Sequence, residues 1–180
     1  MVYVDIAKKL SGALRPVSEE QDANASVALV LKPANEDIKI LLVKRVKNPV
    51  DPWSGQMALP GGKRDPRDSG LLQTVVRETL EETGINLLHE CCFLGVMAAL
   101  KSTPKPEMKI LPFVVLLEHK PSIKLNEKEL EGFVWISPKE LAQHRGVAKF
   151  SFGEFPAYIV GGNVIWGLTY RILENFLHTL

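Results

Sequence analysis

Cysteine is scarce in this chain, which has only two in 180 residues. Cys91 and Cys92 are adjacent, where a disulfide between them would be strained, and Phe93 and Leu94 beside them are typical of a strand interior. With no second pair and no spacing suited to metal ligands, the sequence argues against a secreted disulfide scaffold and against a zinc site. A reducing, cytoplasmic location is therefore expected.

An excess of either charge is also lacking. Lys and Arg total 22 against 21 Asp and Glu, a formal net charge of +1. Proteins that bind nucleic acid through its phosphates usually carry a clear basic excess, so neither a nucleic-acid partner nor a membrane-surface role is expected. No apolar run approaches the roughly 18 residues of a membrane-spanning helix. Asp5, Lys8 and Lys9 interrupt the N-terminus where a signal peptide would be continuously apolar.

What the chain does contain is an ordinary globular composition, 46% hydrophobic and 24% charged. One domain spanning residues 1–180 is expected, because a domain typically has about 100–200 residues. The apolar spacing from Val2 to Leu14 predicts an amphipathic helix, and the polar stretch after it predicts a linker. Residues 1–24 are therefore expected to form an N-terminal helix and linker.

Strand and helix patterns alternate irregularly along the rest of the chain. The β-rich runs 26–31 and 38–46 predict a hairpin, and Leu71–Thr83 is the strongest helix signal, with Gly84 placed to cap its C-terminus. Because regular βαβ alternation is absent, we expect an α+β fold, a mixed β-sheet between helices in an α/β/α sandwich. Further strands are predicted at 91–100, 108–117, 133–136 and 155–160, and further helices after Ser137 and over 166–177.

The predicted central helix carries three glutamates along one margin of its buried stripe. On a wheel of about 100° per residue, Glu82 and Glu81 fall about 40° and 60° to either side of Glu78. A solvated charged face is one interpretation. Against it, Glu78 and Glu82 are a like-charge pair four residues apart, and Ile85 and Asn86 supply no cation at the following turn. A site for Mg²⁺ or Mn²⁺ is the other interpretation, and periodicity alone leaves both open.

A loop rich in glycine and cations leads into that helix. Gly61 and Gly62 allow the backbone to approach a ligand closely, and Lys63, Arg64 and Arg67 bring positive charge to the same loop. A Gly-Gly pair alone usually marks a turn. Joined to the glutamates, it predicts a site for a metal ion and a phosphate.

These residues resemble the Nudix hydrolase family. The run from Arg77 to Ile85, RETLEETGI, is similar to the second half of the family's box, and the Gly61-Gly62 loop is similar to its start. The resemblance covers about residues 26–177. It implies a Nudix fold and a metal-dependent hydrolase of a nucleoside diphosphate linked to another group, with Mg²⁺ or Mn²⁺ as cofactor. Many members form dimers, so a homodimer is one expected assembly.

The loop departs from the family's pattern. Counting back from Arg77, the box's first Glu falls on Ser69 and its Gly on Lys63, so the loop is one residue longer. Asp68 is the expected acidic substitute for that Glu.

The longer loop resembles the coenzyme A pyrophosphatase branch of the family, and so does the C-terminal run from Ile165 to Leu173. In that branch's accessory motif Gly55 fits. Asp51, however, occupies the position of an Arg that is thought to recognise coenzyme A. The resemblance therefore favours coenzyme A or a derivative as substrate, with one mismatch in the motif.

The resemblance also implies roles for the polar residues. Glu78, Glu81 and Glu82 are expected metal ligands, with the carbonyl of Gly61 as a further one. Arg77 is expected to hold the glutamates, since an arginine fork suits carboxylates. The expected catalytic residues are thus Glu78, Glu81 and Arg77. Among the cations, Lys63 and Arg64 of the loop are expected substrate contacts, and Arg45 and Lys44 are either phosphate contacts or solvated strand residues.

Other residues keep two interpretations. Glu129 and Glu131 are either the catalytic base from a distant loop or part of a solvated turn. Trp53, Phe150 and Phe152 either stack on a nucleobase or pack locally. The remaining tryptophans, Trp135 and Trp166, are assigned to the core because they fall inside predicted regular elements.

Three functions stay open on the sequence. The first is a diphosphatase for coenzyme A or acyl-coenzyme A. The second is a diphosphatase for ADP-ribose, a dinucleotide or a damaged nucleoside triphosphate. The third is a Nudix-fold module that binds a nucleotide without catalysis, against which the complete set of Arg77, Glu78, Glu81 and Glu82 argues. In each, the partner is a small nucleotide.

Overall fold

The computed structural model describes residues 2–19, 21–35, 37–50 and 54–180. Within them, one mixed sheet has the order β3-β2-β1-β7-β5, with β4 also paired to β1, β6 to β7 and β8 to β2. The pairing of β1 with β7 is parallel and the others are antiparallel. Its strands are β1 Ala25–Ala34, β2 Asp37–Arg45, β3 Met57–Ala58, β4 Gly61–Lys63, β5 Cys91–Val96, β6 Leu100–Lys101, β7 Lys109–Leu117 and β8 Leu130–Ile136.

Helices flank this sheet, and a smaller sheet stands beside it. None of the described helices is long and apolar enough to cross a membrane. The helices are α1 Val2–Ala13, α2 Leu71–Thr83, α3 Leu87–Glu90, α4 Pro138–Gln143 and α5 Gly167–Leu177. The second sheet, in the order β11-β10-β9, consists of β9 Arg145–Phe150, β10 Gly153–Val160 and β11 Asn163–Trp166.

Strand periodicity divides the core into two layers. Successive side chains of a strand point to opposite faces, so Leu29 of β1 joins one buried cluster and Val30 joins the other. The first cluster includes Leu10 of α1 and Leu173 of α5, whereas the second includes Val75 of α2. The sheet is therefore covered by helices on both faces, and the predicted α/β/α sandwich is confirmed.

Strands β1 and β2 pair only beside their connecting turn and then diverge. Beyond that point β1 pairs through residues 25–27 with β4, and β2 pairs through residues 43–44 with β3. The segment 57–63 therefore fills the gap between the two strands. Met57 and Leu59 join the cluster under α1 and α5, while the glycines that follow contact α2.

The N-terminal helix is anchored to the sheet. Leu10 is fully buried, and the backbones of Arg15 and Val96 exchange hydrogen bonds of 3.1 and 2.9 Å. The stretch predicted as a linker is also attached, because the Gln21 amide donates to the Met97 carbonyl and accepts from the Ala99 N–H.

The second sheet is the largest departure from the sequence prediction. Of its three strands, only the middle one, β10, was predicted. Strand β11 contains Val164, Ile165 and Trp166, but it has only four residues, and β9 has a single β-branched residue, Val147, so pairing with β10 defines both strands. As a result, Trp166 ends β11 half-buried instead of lying in the core of a helix. Trp135 is also half-buried, with the Lys32 ammonium 4.3 Å from its ring centroid.

Candidate active site

Helix α2 carries the glutamates at three different depths. It ends at Gly84, which has a φ of 76° and donates its N–H to the Leu80 carbonyl, a conformation that glycine adopts without strain. Glu82 is 4% exposed, whereas the side chains of Glu78 and Glu81 are 20% and 58% exposed. This gradient follows the predicted wheel, because Glu82 lies nearest the buried stripe.

The two glycines of β4 lie directly against the two inner carboxylates. The Gly61 N–H donates to Oε2 of Glu82 at 2.9 Å. Gly61 has a φ of 143°, and a Cβ there would lie 2.2 Å from the Ser26 carbonyl oxygen. A Cβ on Gly62 would lie 2.6 to 2.9 Å from the carboxylate of Glu78. Gly61 is therefore required by backbone packing, whereas a side chain at Gly62 would displace the carboxylate of Glu78.

Arg77 links the glutamates to the loop that precedes the helix. Its Nη1 lies 2.8 Å from Oε1 of Glu78 and 3.5 Å from Oε2 of Glu81. On the other side, its Nε and Nη2 donate to the two carboxylate oxygens of Asp68 at 3.0 and 2.8 Å. This two-pronged contact fixes both the position and the plane of the guanidinium.

Asp68 is buried and accepts several hydrogen bonds. Its Oδ2 also accepts from the Thr74 hydroxyl at 2.9 Å and from the Asp65 N–H at 3.0 Å. The Arg77 guanidinium holds the pKa of Asp68 well below its usual range. Ser69, which the motif count places at this position, donates its N–H to the Gln73 side chain instead. These contacts are those expected of an acidic residue that replaces the first Glu of the box.

Burial shifts the pKa values of the two inner carboxylates upward despite the nearby arginines. Burial raises the pKa of Glu82 to about 7, with Glu78 and Glu129 adding to the shift and Arg45 opposing it. Burial also raises the pKa of Glu78, against the lowering effect of Arg77. A cation bound beside both groups would favour their ionised forms.

This donor set fits a hard divalent cation. Mg²⁺ is usually held by one or two carboxylates while waters and substrate phosphates fill its other positions. Glu78 and Glu82 would supply that pair. Glu81 lies one turn along the helix from Glu78, is more exposed, and is contacted by Arg77. Across the described ranges, no three acidic, His or Cys side chains converge into a ready-made cage. The ligand roles of Glu78, Glu81, Glu82 and Gly61 stay predictions.

The predicted substrate contacts differ in their surroundings. Arg45, half-buried in β2, lies close enough to Glu82 to lower the pKa of that carboxyl. Lys63 is exposed at the end of β4, and its carbonyl lies 3.5 Å from Nη2 of Arg77. Arg64 is exposed, but its guanidinium donates to two carbonyls of its own loop at 3.2 to 3.3 Å. The geometry thus brings Arg45 and Lys63 to the edge of the glutamate site, whereas Arg64 stabilises the loop.

The two candidate bases also differ. The charge of Glu129 acts on both inner glutamates and raises their pKa values, whereas Glu131 forms an ion pair of 2.8 Å with Lys44. Their loop is attached to α2, because the Asn126 N–H donates to the Glu82 carbonyl at 2.9 Å. The Asn126 amide also donates to Oε1 of Glu129 at 2.9 Å. The structure therefore places Glu129, rather than Glu131, beside the carboxylates.

Phe150 and Phe152 belong to an aromatic cluster that also contains Phe155 and Trp166. The sequence prediction missed the last two as site candidates, although the alternation of aromatic residues from Phe150 to Phe155 around a glycine was a usable hairpin signal. Trp53 and Asp51 lie outside the described residues.

Comparison with known proteins identifies the family. A family model described as NUDIX domain matches residues 23–155. The chain belongs to the Nudix hydrolase family. The match begins after α1 and ends before α5, so that the two outer helices are additions to the Nudix domain as the model defines it.

Several curated relatives are similar over different parts of the chain. A Nudix hydrolase, NudL, of Yersinia enterocolitica is 31% identical over 85% of this chain and 80% of that protein. The mitochondrial coenzyme A diphosphatase NUDT8 of Mus musculus is 30% identical over 78% of this chain and 70% of that protein. A protein of Schizosaccharomyces pombe is 40% identical over 53% of this chain, but the matched segment is only 31% of that protein's length.

Solved structures show the same fold at low identity. An Ap4A hydrolase of C. elegans superimposes with a TM-score of 0.54 at 18% identity, covering 64% of this chain and 80% of that one. The NUDIX domain of Shewanella oneidensis NrtR, solved with ADP ribose, has a TM-score of 0.50 at 20% identity, covering 76% and 86%. The predicted Nudix fold and the enzyme class, a Nudix diphosphatase, are confirmed.

Proposed function

We propose that this Nudix protein uses a divalent cation to hydrolyse the diphosphate of coenzyme A or one of its derivatives. The observation that carries the proposal is the pair of carboxylates formed by the buried Glu82 and the half-buried Glu78, which lie directly against the two glycines of β4. The 30% sequence identity to the mouse coenzyme A diphosphatase supports the substrate class. So does the longer loop before α2, which resembles that branch of the family.

Different residues of the chain bind the cation, position the glutamates and contact the substrate in this proposal. Glu78 and Glu82 bind the cation, which when bound neutralises the diphosphate and lowers the pKa of a water molecule. Arg77 fixes Glu78 and Glu81, and Asp68 in turn fixes Arg77. Arg45 and Lys63 contact substrate phosphates from the edge of the site.

Glu129 accepts the proton of the attacking water in this proposal. Its place beside the inner glutamates favours it over Glu131, which is neutralised by Lys44. The Asn126 amide donates to Glu129 and the Asn126 N–H donates to the Glu82 carbonyl, which ties this carboxylate to the end of α2. A general base must come within hydrogen-bond reach of the proton that it accepts.

The second candidate is a diphosphatase for ADP-ribose or a dinucleotide. It is favoured by Asp51, which stands where the coenzyme A branch has an Arg. An Ap4A hydrolase and a NUDIX domain solved with ADP ribose have the same fold and are consistent with such substrates.

Product analysis tests the proposal. The full chain would be assayed with coenzyme A, acyl-coenzyme A, ADP-ribose and Ap4A in the presence of Mg²⁺ or Mn²⁺. We expect adenosine 3′,5′-bisphosphate and phosphopantetheine from coenzyme A, whereas cleavage of ADP-ribose would release AMP and ribose 5-phosphate. Glu78→Gln should lower turnover by about 10³-fold or more while leaving the fold intact, because it removes a ligand of the required charge at nearly constant shape.

Two outcomes would contradict this prediction. Near-wild-type turnover by Glu78→Gln would contradict the assignment of Glu78 as a metal ligand. Tight nucleotide binding without turnover of any substrate would indicate a binding module instead of an enzyme.

A further inference from the structure

An exposed aromatic groove lies on the second sheet, outside the glutamate site. We call it the aromatic groove and define it by Phe150, Phe152, Trp166, Lys47 and Asn163. Its cavity has a volume of about 490 Å³. This volume is within the range of cavities that hold small molecules, about 300 to 1,000 Å³.

Two phenylalanine rings of the groove are stacked on each other. Phe150 and Phe152 are parallel, with an interplanar angle of 3° and ring centroids 5.1 Å apart. Trp166 contacts both rings from the side, with its centroid 4.4 Å from that of Phe150 and 6.0 Å from that of Phe152. Phe152 is nonetheless 66% exposed. The stack therefore ends in an open aromatic face instead of closing into a core.

The walls of the groove are polar and basic. The lining includes two lysines, Lys44, which is paired with Glu131, and Lys47, and two residues with amide side chains, Gln56 and Asn163. Lys47 passes over Gly55, where its Cγ would be 3.4 Å from a Cβ. Amide groups can donate to and accept from the edge of a base, and ammonium groups suit phosphates. A planar ring with polar edges and an attached phosphate matches this lining better than an alkyl chain does.

Short chain segments connect the groove to residues of the glutamate site. Met57 lines the groove, and Gly61 follows four residues later, which limits the separation of their Cα atoms to about 14 Å. On the other wall, the Val46 N–H, next to Lys47, donates to the Glu129 carbonyl at 2.9 Å. A nucleotide whose diphosphate lies at the glutamates could therefore place its base in the groove.

We propose that the aromatic groove binds the nucleobase of the substrate, with the base stacked on the open face of Phe152. The inference rests on the proposed function only in taking a nucleotide as ligand. It adds a binding subsite, formed by strands β9 and β11 of the second sheet, that lies beyond the box residues and the loop before α2.

Calorimetric binding of ADP and of inorganic pyrophosphate to the full chain, with Mg²⁺ present, tests this site. The two ligands share a diphosphate, and only ADP has a base. Phe152→Leu keeps an apolar side chain but removes the ring, whereas Phe152→Tyr restores a ring. Because stacking on an aromatic side chain contributes about 1–3 kcal/mol, we expect Phe152→Leu to weaken ADP binding by about 5- to 100-fold and to leave pyrophosphate binding unchanged. Phe152→Tyr should bind ADP within about threefold of wild type.

Several results would overturn the subsite. They are equal affinities of the wild type for ADP and pyrophosphate, undiminished ADP binding by Phe152→Leu, and equal losses in Phe152→Leu and Phe152→Tyr. Glu78→Gln separates this test from the proposed function, since it should lose turnover and keep the effect of Phe152→Leu on ADP binding. Failure of every substrate to turn over, with ADP binding still dependent on the ring, would contradict the proposed function and leave the subsite standing.

Discussion

At the residue scale, Asp68 is the predicted substitute for the first Glu of the family's pattern. Asp is one methylene group shorter than Glu, and the loop that carries it is one residue longer than in that pattern. The carboxylate reaches both Nε and Nη2 of Arg77, at 3.0 and 2.8 Å. These two contacts hold the guanidinium in position to orient Glu78.

The choice between Glu129 and Glu131 gives a matched pair of variants. Glu129→Gln should lower kcat by about 10² to 10⁴, the usual contribution of a general base, with little change in KM. Glu131→Gln, which only breaks an exposed ion pair with Lys44, should keep a kcat close to that of the wild type. Steady-state kinetics with the best substrate of the panel would measure both. A larger loss of kcat in Glu131→Gln than in Glu129→Gln would reverse the assignment.

The raised pKa of Glu82 predicts a pH dependence of stability. Its pKa is about 7 in the folded protein against 4.5 for an unperturbed Glu, so between these values the folded state binds more protons than the unfolded state. The free energy of unfolding of the metal-free protein should therefore fall as pH rises through this range, by up to about 3 kcal/mol. Added Mg²⁺ should reverse the loss near pH 8, because it binds the ionised carboxylate.

Urea denaturation in EDTA at about pH 5.5 and about pH 8 would measure this effect. Glu82→Gln is the control, since it removes the titrating group and should flatten that part of the profile. A wild-type profile identical to that of Glu82→Gln would show that Glu82 is ionised at both pH values.

At the element scale, strand β4 and helix α2 form the site together because the first two residues of β4 are glycines. The pairing of β4 with β1 places these glycines against Glu82 and Glu78 of α2. The helix supplies carboxylates at fixed spacing. The strand supplies the Gly61 N–H, which binds Glu82, and the space beside Gly62 that the Glu78 carboxylate occupies.

Alanine substitutions at the two glycines should separate stability from activity. Gly61→Ala places a Cβ against the Ser26 carbonyl in a conformation that disfavours side chains, so we expect a loss of about 1–3 kcal/mol or more in the free energy of unfolding. Gly62→Ala meets only the flexible end of Glu78, so it should lower kcat strongly with a smaller loss of stability. Chemical denaturation and kinetics on both variants would test this contrast, and equal stability losses would contradict it.

At the scale of the whole molecule, we propose that residues 1–24 are part of a single folding unit with the Nudix domain. The family match begins only at residue 23, yet Leu10 of α1 is fully buried in the same cluster as Leu173 of α5. The helix therefore closes one face of the main sheet, which would otherwise expose apolar side chains to water.

Two single substitutions in α1 test this organisation. Leu10→Ala should lower the free energy of unfolding by about 2–5 kcal/mol, because it leaves a cavity in the shared core. Lys8→Ala, at an exposed position of the same helix, should change it by less than about 0.5 kcal/mol. Thermal or urea denaturation in one cooperative transition would confirm a single unit. A negligible effect of Leu10→Ala would indicate that α1 is an appendage.

The local parts of this protein were determined by the sequence alone. Helix α2 begins and ends at the predicted residues, since the 3.6-residue period and the glycine after it act over a few neighbouring positions. The same spacing set the depths of Glu82, Glu78 and Glu81. The order of the layers also followed from the strand and helix patterns, because a sheet with two apolar faces must be covered on both.

Only the tertiary structure decided which distant residues meet. The contact of Asp68 with Arg77 depends on the path of an irregular loop, and the place of Glu129 depends on the attachment of its loop to the end of α2. Strands β9 and β11 exist through their pairing with β10, and that pairing brings Trp166 against Phe150. These contacts are set by long-range backbone hydrogen bonds and packing, which leave no periodic signal in the sequence.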